Sequence, residues 1–250
     1  MSDEHADAGS AAPEVSIVIP VYNESEILRR SIDELAGDLQ RAGLDFEILI
    51  AENGSRDDTV AIAEAEAEAR PYLTTFSYPE PNYGGALREG IFRARGRYVI
   101  CEEIDICDVD FHLRALDRLR AGEADFVVGS KAMRGANDRR PMVRRAATKA
   151  YNGVLRVSLG FRGTDTHGLK AFDRECVSPV AARCIVEHDV FASELVIRAQ
   201  REGVRVLEIP VQIEEKRAPS INLSRRVPRV LKNVGRLMMA IHLGSDPESD

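Results

Sequence analysis

Short runs of apolar, β-branched residues alternate along the first half of the chain with segments whose apolar residues recur every three or four positions. Val15–Val21 and Phe46–Ile50 are nearly continuous apolar runs, which is typical of strands buried on both faces. The segment between them repeats apolar residues at helical spacing, at Leu28, Ile32, Leu35 and Leu39. We expect this helix to be capped by Asn23 or Ser25.

The same alternation continues to about residue 130 and is less regular beyond it. Further strands are predicted over residues 73–76, 97–101, 124–129 and 204–210, with a turn into a strand over 164–172. Further helices are predicted from Asp57 or Asp58 to about residue 69, and over 82–91, 142–158 and 191–202. Alternating strands and helices imply right-handed crossovers, so we expect one α/β domain with a mostly parallel sheet flanked by helices.

The formal net charge of the 250-residue chain is -7, but the acids concentrate at its two ends. Six of them lie in stretches without Lys or Arg: Asp3, Glu4, Asp7, Asp246, Glu248 and Asp250. Without these six the body carries about -1. The sequence therefore predicts a disordered leader over residues 1–13, an acidic tail over 243–250, and no general affinity for nucleic acid.

The four cysteines form neither a CxxC pair nor a zinc-binding pattern with histidine, which favours free thiols in a reducing compartment. We find no basic segment followed by an apolar one at the N-terminus, and no window near the roughly 18 apolar residues that a membrane span needs. We therefore expect a cytoplasmic protein, with peripheral contact at the cytoplasmic membrane face left open.

Polar groups follow three of the predicted strands directly. They are Pro20–Glu24, Glu52–Ser55 and Glu102–Asp105. Ligands of open parallel sheets bind outside the carboxyl ends of the strands, so the three groups suggest one site. Glu103 and Asp105 suit Mg²⁺ or Mn²⁺, which prefer carboxylate, phosphate and water oxygens. Taken alone, these two residues are better explained as an acidic loop that only solvates a strand end.

Six short sequence motifs lie at 15–24, 52–59, 82–91, 103–105, 127–131 and 208–211. Together, and in this order, they resemble the motifs of the family 2 glycosyltransferases of GT-A fold. The resemblance is greatest to the branch of dolichyl-phosphate mannose synthases and bacterial polyprenyl-phosphate sugar transferases. It runs from about Val15 to Leu237 and implies a GT-A domain over residues 14–222.

The resemblance implies a site for a nucleotide sugar and a divalent metal. The implied donor contacts are Pro20, Tyr22, Glu24, Glu52, Gly85, Arg88 and Glu103. Glu103 and Asp105 occupy the two acidic positions of the family's Asp-x-Asp motif, which implies Mg²⁺ or Mn²⁺ and a catalytic role for Asp105. Two departures put metal affinity and choice in question: the first acid is Glu, and Cys107 stands where relatives often have Gln.

The acceptor side is also implied by the resemblance. Residues placed near the phosphate of a lipid acceptor are Lys131, Arg145, Thr148, Arg217 and Ser220. Asp165, Lys170 and Glu194 match polar positions around the transfer site, where Asp165 or Glu194 would act as general base towards a hydroxyl acceptor. His167 is an alternative base or a structural residue. A base is less necessary for a phosphate acceptor, because the second pKa of a phosphomonoester is about 6 and the group is already ionised at neutral pH.

Residues 223–242 predict a basic amphipathic helix. Its apolar face would carry Val227, Val230, Leu231, Val234, Leu237, Met238 and Ile241, and its basic face Arg225, Arg229, Lys232 and Arg236. Such a helix either lies at a membrane surface or packs on the domain.

The expected activity is inverting transfer of a hexose from a nucleotide sugar, of the GDP-mannose or UDP-glucose type, to a polyprenyl phosphate. Transfer to a sugar or small-molecule hydroxyl is the first alternative. A catalytically weakened protein that only binds nucleotide sugars is the second, because of Glu103 and Cys107. A nucleotidyltransferase is disfavoured, since Pro20–Glu24 stands where its Gly-rich basic loop would be.

Overall fold

The computed structural model describes residues 12–138, 142–187, 190–213, 232–239 and 241–242. Its elements are β1 (Val15–Val21), α1 (Leu28–Arg41), β2 (Phe46–Glu52), α2 (Thr59–Ala69), β3 (Leu73–Ser77), α3 (Tyr83–Arg93), β4 (Tyr98–Cys101), α4 (Val109–Arg120), β5 (Phe126–Ser130), β6 (Asn137–Asp138), α5 (Met142–Leu159), β7 (Lys170–Asp173), α6 (Arg174–Ala182), α7 (Phe191–Arg201), β8 (Val206–Pro210) and β9 (Gln212–Ile213). The predicted tail over 243–250, and the leader up to residue 11, lie outside these residues.

The described strands form a seven-stranded sheet in the order β3-β2-β1-β4-β7-β5-β8, beside the small pair β6-β9. The predicted α/β domain with a mostly parallel sheet is confirmed. Strand β7 is the exception, because it runs antiparallel to both β4 and β5. Lys170, its first residue, pairs with Cys101 of β4 and Val128 of β5. Strand β7 therefore begins at the edge where β4 and β5 end.

Buried side chains cover both faces of the sheet, which explains the nearly continuous apolar runs of its strands. One core cluster takes Ile32 from α1 and Phe111 from α4. The other takes Leu87 from α3, Leu155 from α5 and Leu195 from α7. Because the core sits on the two faces, the carboxyl edge of the sheet is left for polar loops.

Two predicted helix starts had different outcomes. The prediction that Asn23 or Ser25 caps α1 was wrong: the N-cap residue is Ile27, which makes no side-chain cap bond. Asn23 lies at φ 54°, and its side-chain oxygen accepts from the Arg56 N–H at 2.8 Å, so it joins two loops instead. Asn82 does open α3, as its side chain accepts from the Gly85 N–H.

The predicted helix over 223–242 falls within the described residues only at 232–239 and 241–242, which are helical. There Val234 and Leu237 are buried in the core beside Leu155. His242 Nε2 bonds the Ser158 carbonyl oxygen at 2.9 Å, so this segment lies along the end of α5. The described part of the chain contains no helix with the length and apolar character of a membrane span.

Candidate active site

The three polar groups predicted at strand ends lie at one edge of the sheet. Strands β1 and β2 are parallel and in register, with Val21 opposite Glu52. Strand β4 lies on the other side of β1, and the Glu102 N–H donates to the Val18 carbonyl oxygen at 3.0 Å. The order of the parallel strands thus gathers residues from three distant segments.

The loops after β1 and β2 are bonded to each other. The Asn23 N–H donates to Ser55 Oγ at 2.9 Å, and the Glu24 N–H donates to Thr59 Oγ1 at 2.8 Å. The Thr59 hydroxyl in turn donates to Asp57 at 2.5 Å. These bonds fix the wall on which Tyr22, 40% exposed, and Glu24, half-buried, are carried.

Among the predicted donor contacts, Glu52 and Gly85 are buried at this edge. Glu52 accepts a hydrogen bond from the Ser55 N–H, so it holds its own turn. A Cβ atom at Gly85 would come within 2.7 Å of the Tyr78 ring, which explains the glycine. Pro20 is buried within β1.

Arg88, another predicted donor contact, bonds elsewhere. Its guanidinium donates to the Cys184 carbonyl oxygen at 3.1 Å and to Glu187 at 3.2 Å. Arg88 therefore ties α3 to the loop that follows α6.

Residues 102–108, which we call the acid turn, connect β4 to α4. Glu102 is 1% exposed and points inward. It accepts from the Glu103 N–H at 2.8 Å, from the Asp108 N–H at 3.1 Å and from His112 Nε2 at 2.6 Å. Both of its oxygens are engaged, so Glu102 shapes the turn and leaves ligand binding to its neighbours.

Glu103 and Asp105 are half-buried, while Ile104 between them is buried in the core. The Ile106 N–H closes the turn on the Glu103 carbonyl oxygen at 2.9 Å. In the described residues no group of three or more His, Cys, Asp or Glu side chains is arranged to hold a metal. Two carboxylates nevertheless fit Mg²⁺ or Mn²⁺, because such ions take their other ligands from phosphate and water.

Cys107 has its sulfur 3.5 Å from the Ile104 carbonyl oxygen, within the acid turn. Its backbone is in the left-handed region, at φ 49°. The turn therefore uses Cys107 in an uncommon conformation for a residue with a side chain.

Lys170 joins the acid turn to the other half of the site. It is 3% exposed, and its Nζ donates to the Gly168 carbonyl oxygen at 2.7 Å. Burial lowers the pKa of Lys170, while the nearby Cys101, Asp165 and Glu103 act in the opposite direction. A buried lysine thus lies near both the predicted metal ligand Glu103 and the predicted catalytic residue Asp165.

Residues 163–168, which we call the acceptor loop, precede β7. Asp165 is 1% exposed and accepts from the Lys131 N–H at 3.2 Å and the His167 N–H at 2.9 Å. Glu208 of β8 in turn accepts from the Thr164 N–H at 2.7 Å and the Asp165 N–H at 3.2 Å. The structure therefore brings Lys131 and Asp165 together.

Glu194 is fully buried on α7 and holds a different loop. Its carboxylate accepts from the Ile185 N–H at 3.0 Å, the Val186 N–H at 2.6 Å and Arg198 Nε at 2.7 Å. The oxygens of Glu194, like those of Asp165, are thus engaged by backbone donors.

Helix α5 carries two of the predicted acceptor-phosphate residues, Arg145, which is exposed, and Thr148, which is half-buried. Asn152 on the same helix donates to the Thr164 carbonyl oxygen at 2.7 Å, so α5 packs on the acceptor loop. Of the other three such residues, Lys131 lies beside Asp165, and Arg217 and Ser220 lie outside the described residues.

Sequence reasoning missed the roles of Glu102 and Glu208. Glu102 was grouped with the acids of the metal motif, and Glu208 was only part of a strand. A carboxylate at a strand end beside a second acid is the one signal that could have marked Glu102 as a candidate. Glu208 gave no local signal, because its partners lie 43 and 44 residues away.

The family model described as Glycosyl transferase family 2 matches residues 16–178. Glycosyltransferase AglD of Haloferax volcanii is 33% identical over 227 residues, which cover 89% of this chain and 36% of that protein. The chain therefore spans about a third of the length of AglD. The dolichyl-phosphate beta-glucosyltransferase of Saccharomyces cerevisiae is 24% identical over 253 residues, covering 92% of this chain and 75% of that protein.

Solved structures share the fold. Glucosyl-3-phosphoglycerate synthase from Mycobacterium tuberculosis, in complex with Mn²⁺, UDP and phosphoglyceric acid, matches with a TM-score of 0.66 at 20% identity, covering 95% of this chain and 80% of that one. Mannosyl-3-phosphoglycerate synthase from Rubrobacter xylanophilus also matches with a TM-score of 0.66, at 19% identity, covering 90% and 73%. At these identities the likeness establishes the GT-A fold alone.

Proposed function

Since this chain belongs to glycosyl transferase family 2, we propose that it transfers a hexose from a nucleotide sugar to a polyprenyl phosphate, with inversion at the anomeric carbon. The observation that carries the proposal is that the acid turn and the acceptor loop lie at one edge of the sheet, where Lys170 of β7 pairs with Cys101 of β4 and its Nζ bonds the Gly168 carbonyl oxygen. The yeast relative is named for a dolichyl-phosphate acceptor, and this supports a lipid phosphate here.

On the donor side, Glu103 and Asp105 would hold Mg²⁺ or Mn²⁺ together with the diphosphate of the donor. When bound, the metal supplies positive charge against the departing diphosphate. The mycobacterial relative crystallised with Mn²⁺ and UDP supports such a pairing. Glu52, Tyr22 and Glu24 would border the nucleoside at the ends of β1 and β2.

On the acceptor side, a phosphate is favoured over a hydroxyl. The oxygens of Asp165 and Glu194 already accept backbone hydrogen bonds, so neither is well placed to take a proton. A phosphate oxygen attacks the anomeric carbon without losing a proton to the protein. The bond from that carbon to the diphosphate breaks, and the nucleoside diphosphate leaves with the electron pair. Lys131 and Arg145 would attract the acceptor phosphate.

The test is a transfer assay with labelled UDP-glucose or GDP-mannose, Mg²⁺ or Mn²⁺, and a short polyprenyl phosphate, with the product extracted as a lipid. Asp105→Asn should lower turnover about a hundredfold or more. Asp110→Asn is the matched control, because Asp110 is an exposed carboxylate on α4 paired with Arg114. Full activity of Asp105→Asn, or labelled sugar appearing only on a soluble hydroxyl acceptor, would contradict the proposal.

A further inference from the structure

The exposed side of helix α5 is apolar, opposite to the usual arrangement of a surface helix. Successive residues of a helix are about 100° apart, which places six residues on one outward arc of about 120°. They are Met142, Ala146, Ala150, Gly153, Val154 and Val157, and we call them the α5 stripe. Met142 is 82% exposed, Val154 44% and Val157 91%. Leu155 and Leu159 face the core instead.

Cations border this stripe along one side. Arg145, Lys149 and Arg156 are exposed and lie within about 60° of its edge on the helical wheel. The sequence from residue 139 to 163 contains no Asp or Glu, although the chain as a whole carries -7. The basic residues in that segment are Arg139, Arg140, Arg144, Arg145, Lys149, Arg156 and Arg162. Arg145, Lys149 and Arg156 thus place positive charge beside an exposed apolar surface.

The inner side of α5 touches the site. Asn152 bonds the acceptor loop at the Thr164 carbonyl oxygen, and Tyr151 OH lies 2.9 Å from Ser193 Oγ. The same helix carries Arg145 and Thr148, the predicted contacts of the acceptor phosphate. Whatever covers the α5 stripe is therefore separated from the acceptor loop by the width of one helix.

We infer that the α5 stripe and its cations form a docking surface for an anionic lipid bilayer, an inference that rests on the proposed polyprenyl-phosphate acceptor. Apolar side chains flanked by Lys and Arg match a membrane interface, where they meet acyl chains and acidic headgroups. A second copy of this chain fits less well, because it would bring two basic surfaces together. The C-terminal segment beside α5 adds exposed Lys232, Arg236 and Met239.

The experiment is flotation of the full chain with vesicles of phosphatidylcholine, with and without phosphatidylglycerol, in the absence of substrates. The test variant is Met142→Asp/Val157→Asp, whose two positions are almost fully exposed and so spare the core. The control is Phe92→Asp/Leu113→Asp, which adds the same charge at exposed apolar positions of α3 and α4. We expect the wild-type chain to bind only the anionic vesicles, and we expect salt to weaken that binding. The test variant should partition to the anionic vesicles at least tenfold more weakly, and the control should partition about as the wild type does.

Several outcomes would overturn the inference. They are equal wild-type binding to neutral and anionic vesicles, no binding to either, or equal partition of test and control variants. A lipid-free dimer that the test variant dissociates would assign the stripe to a second copy. A transfer assay separates this inference from the proposed function: the test variant should keep its turnover on a short soluble prenyl phosphate and lose it on acceptor embedded in vesicles. Vesicle binding without transfer to any prenyl phosphate would refute the function and leave the surface standing.

Discussion

The acid turn and the acceptor loop are both held by a glutamate whose carboxylate accepts backbone hydrogen bonds, but the two glutamates come from very different places. Glu102 belongs to the acid turn itself, and its partner His112 is ten residues away on the next helix. Glu208 reaches the acceptor loop from β8, 43 and 44 residues along the chain. The donor side is therefore built locally, and the acceptor side only when distant strands pair.

This difference predicts that the two sides respond separately to substitution. Changes in the acid turn should affect metal and donor, and changes at Glu208 should affect the acceptor. Glutamates that accept backbone hydrogen bonds, as the buried Glu102 and the half-buried Glu208 do, are costly to remove, since each leaves donors without a partner.

The largest effect is expected at Glu102. Glu102→Ala removes the hydrogen bond of His112 Nε2, and His112 Nδ1 is buried with no partner among the described residues. We expect a loss of about 3 kcal/mol in the free energy of unfolding, and Mn²⁺ binding at least tenfold weaker. Denaturant unfolding measures the stability, and titration of free Mn²⁺ by electron paramagnetic resonance measures the metal affinity. Glu102→Gln, which keeps one acceptor oxygen, should recover part of the stability and part of the Mn²⁺ affinity. Wild-type Mn²⁺ affinity in Glu102→Ala would refute the role of Glu102 in holding the acid turn.

Glu208→Ala should have the next largest effect, and on the other substrate. It frees the N–H groups of Thr164 and Asp165, so the acceptor loop loosens while the acid turn is unchanged. We expect KM for the prenyl phosphate to rise about tenfold, with KM for the donor within about twofold of wild type. Steady-state kinetics with each substrate varied in turn decide this. A donor KM that rises equally would show that the two sides are not independent.

Lys170 lies where the donor and acceptor sides meet, and its burial should lower the free energy of unfolding. Its folded pKa is lowered by burial, so below that pKa the protonated lysine costs stability, and the cost is relieved as pH rises towards the ordinary value of 10.5. Lys170→Met should raise the free energy of unfolding at neutral pH by about 1 kcal/mol, although turnover falls. The gap should narrow at alkaline pH. Lys149→Met, at an exposed position, is the control and should change the free energy of unfolding little. Destabilisation by Lys170→Met would contradict the cost assigned to the buried lysine.

The smallest effect is expected in the loop after β2. Burial raises the pKa of Asp57, but the hydrogen bonds from Thr59 and Ser25 together outweigh it and lower the pKa to about 2. The stability this gives is present above the ordinary value of 3.8 and is lost as pH falls through about 2. Asp57→Asn should therefore flatten the dependence of the melting temperature on pH below about 4. Asp58→Asn is the control and should leave this pH dependence unchanged. The same flattening in Asp58→Asn would rule out Asp57 as the group responsible.

The sequence predicted the donor side better than the acceptor side, because the donor side is built from local segments and the acceptor side from distant ones. Apolar periodicity located β1, β2 and β4, and parallel pairing then required the polar groups after them to meet. Periodicity could not show that Glu102 turns inward while Glu103 and Asp105 do not, because that depends on the packing of His112. The partners of Glu208 depend on an antiparallel strand, β7, inserted between β4 and β5.

Helix α5 shows a second limit. Its apolar residues predict a helix correctly, but they lie on both the inward and the outward side. Only the structure shows that Leu155 enters the core and Val157 does not.

The most direct test of the proposed donor site is a crystal structure with Mn²⁺ and UDP, in which anomalous scattering locates the metal. We expect one Mn²⁺ coordinated by carboxylate oxygens of Glu103 and Asp105 and by the diphosphate, with the nucleoside against the loops after β1 and β2. Mn²⁺ bound away from the acid turn, or UDP bound without contact to that edge of the sheet, would contradict it.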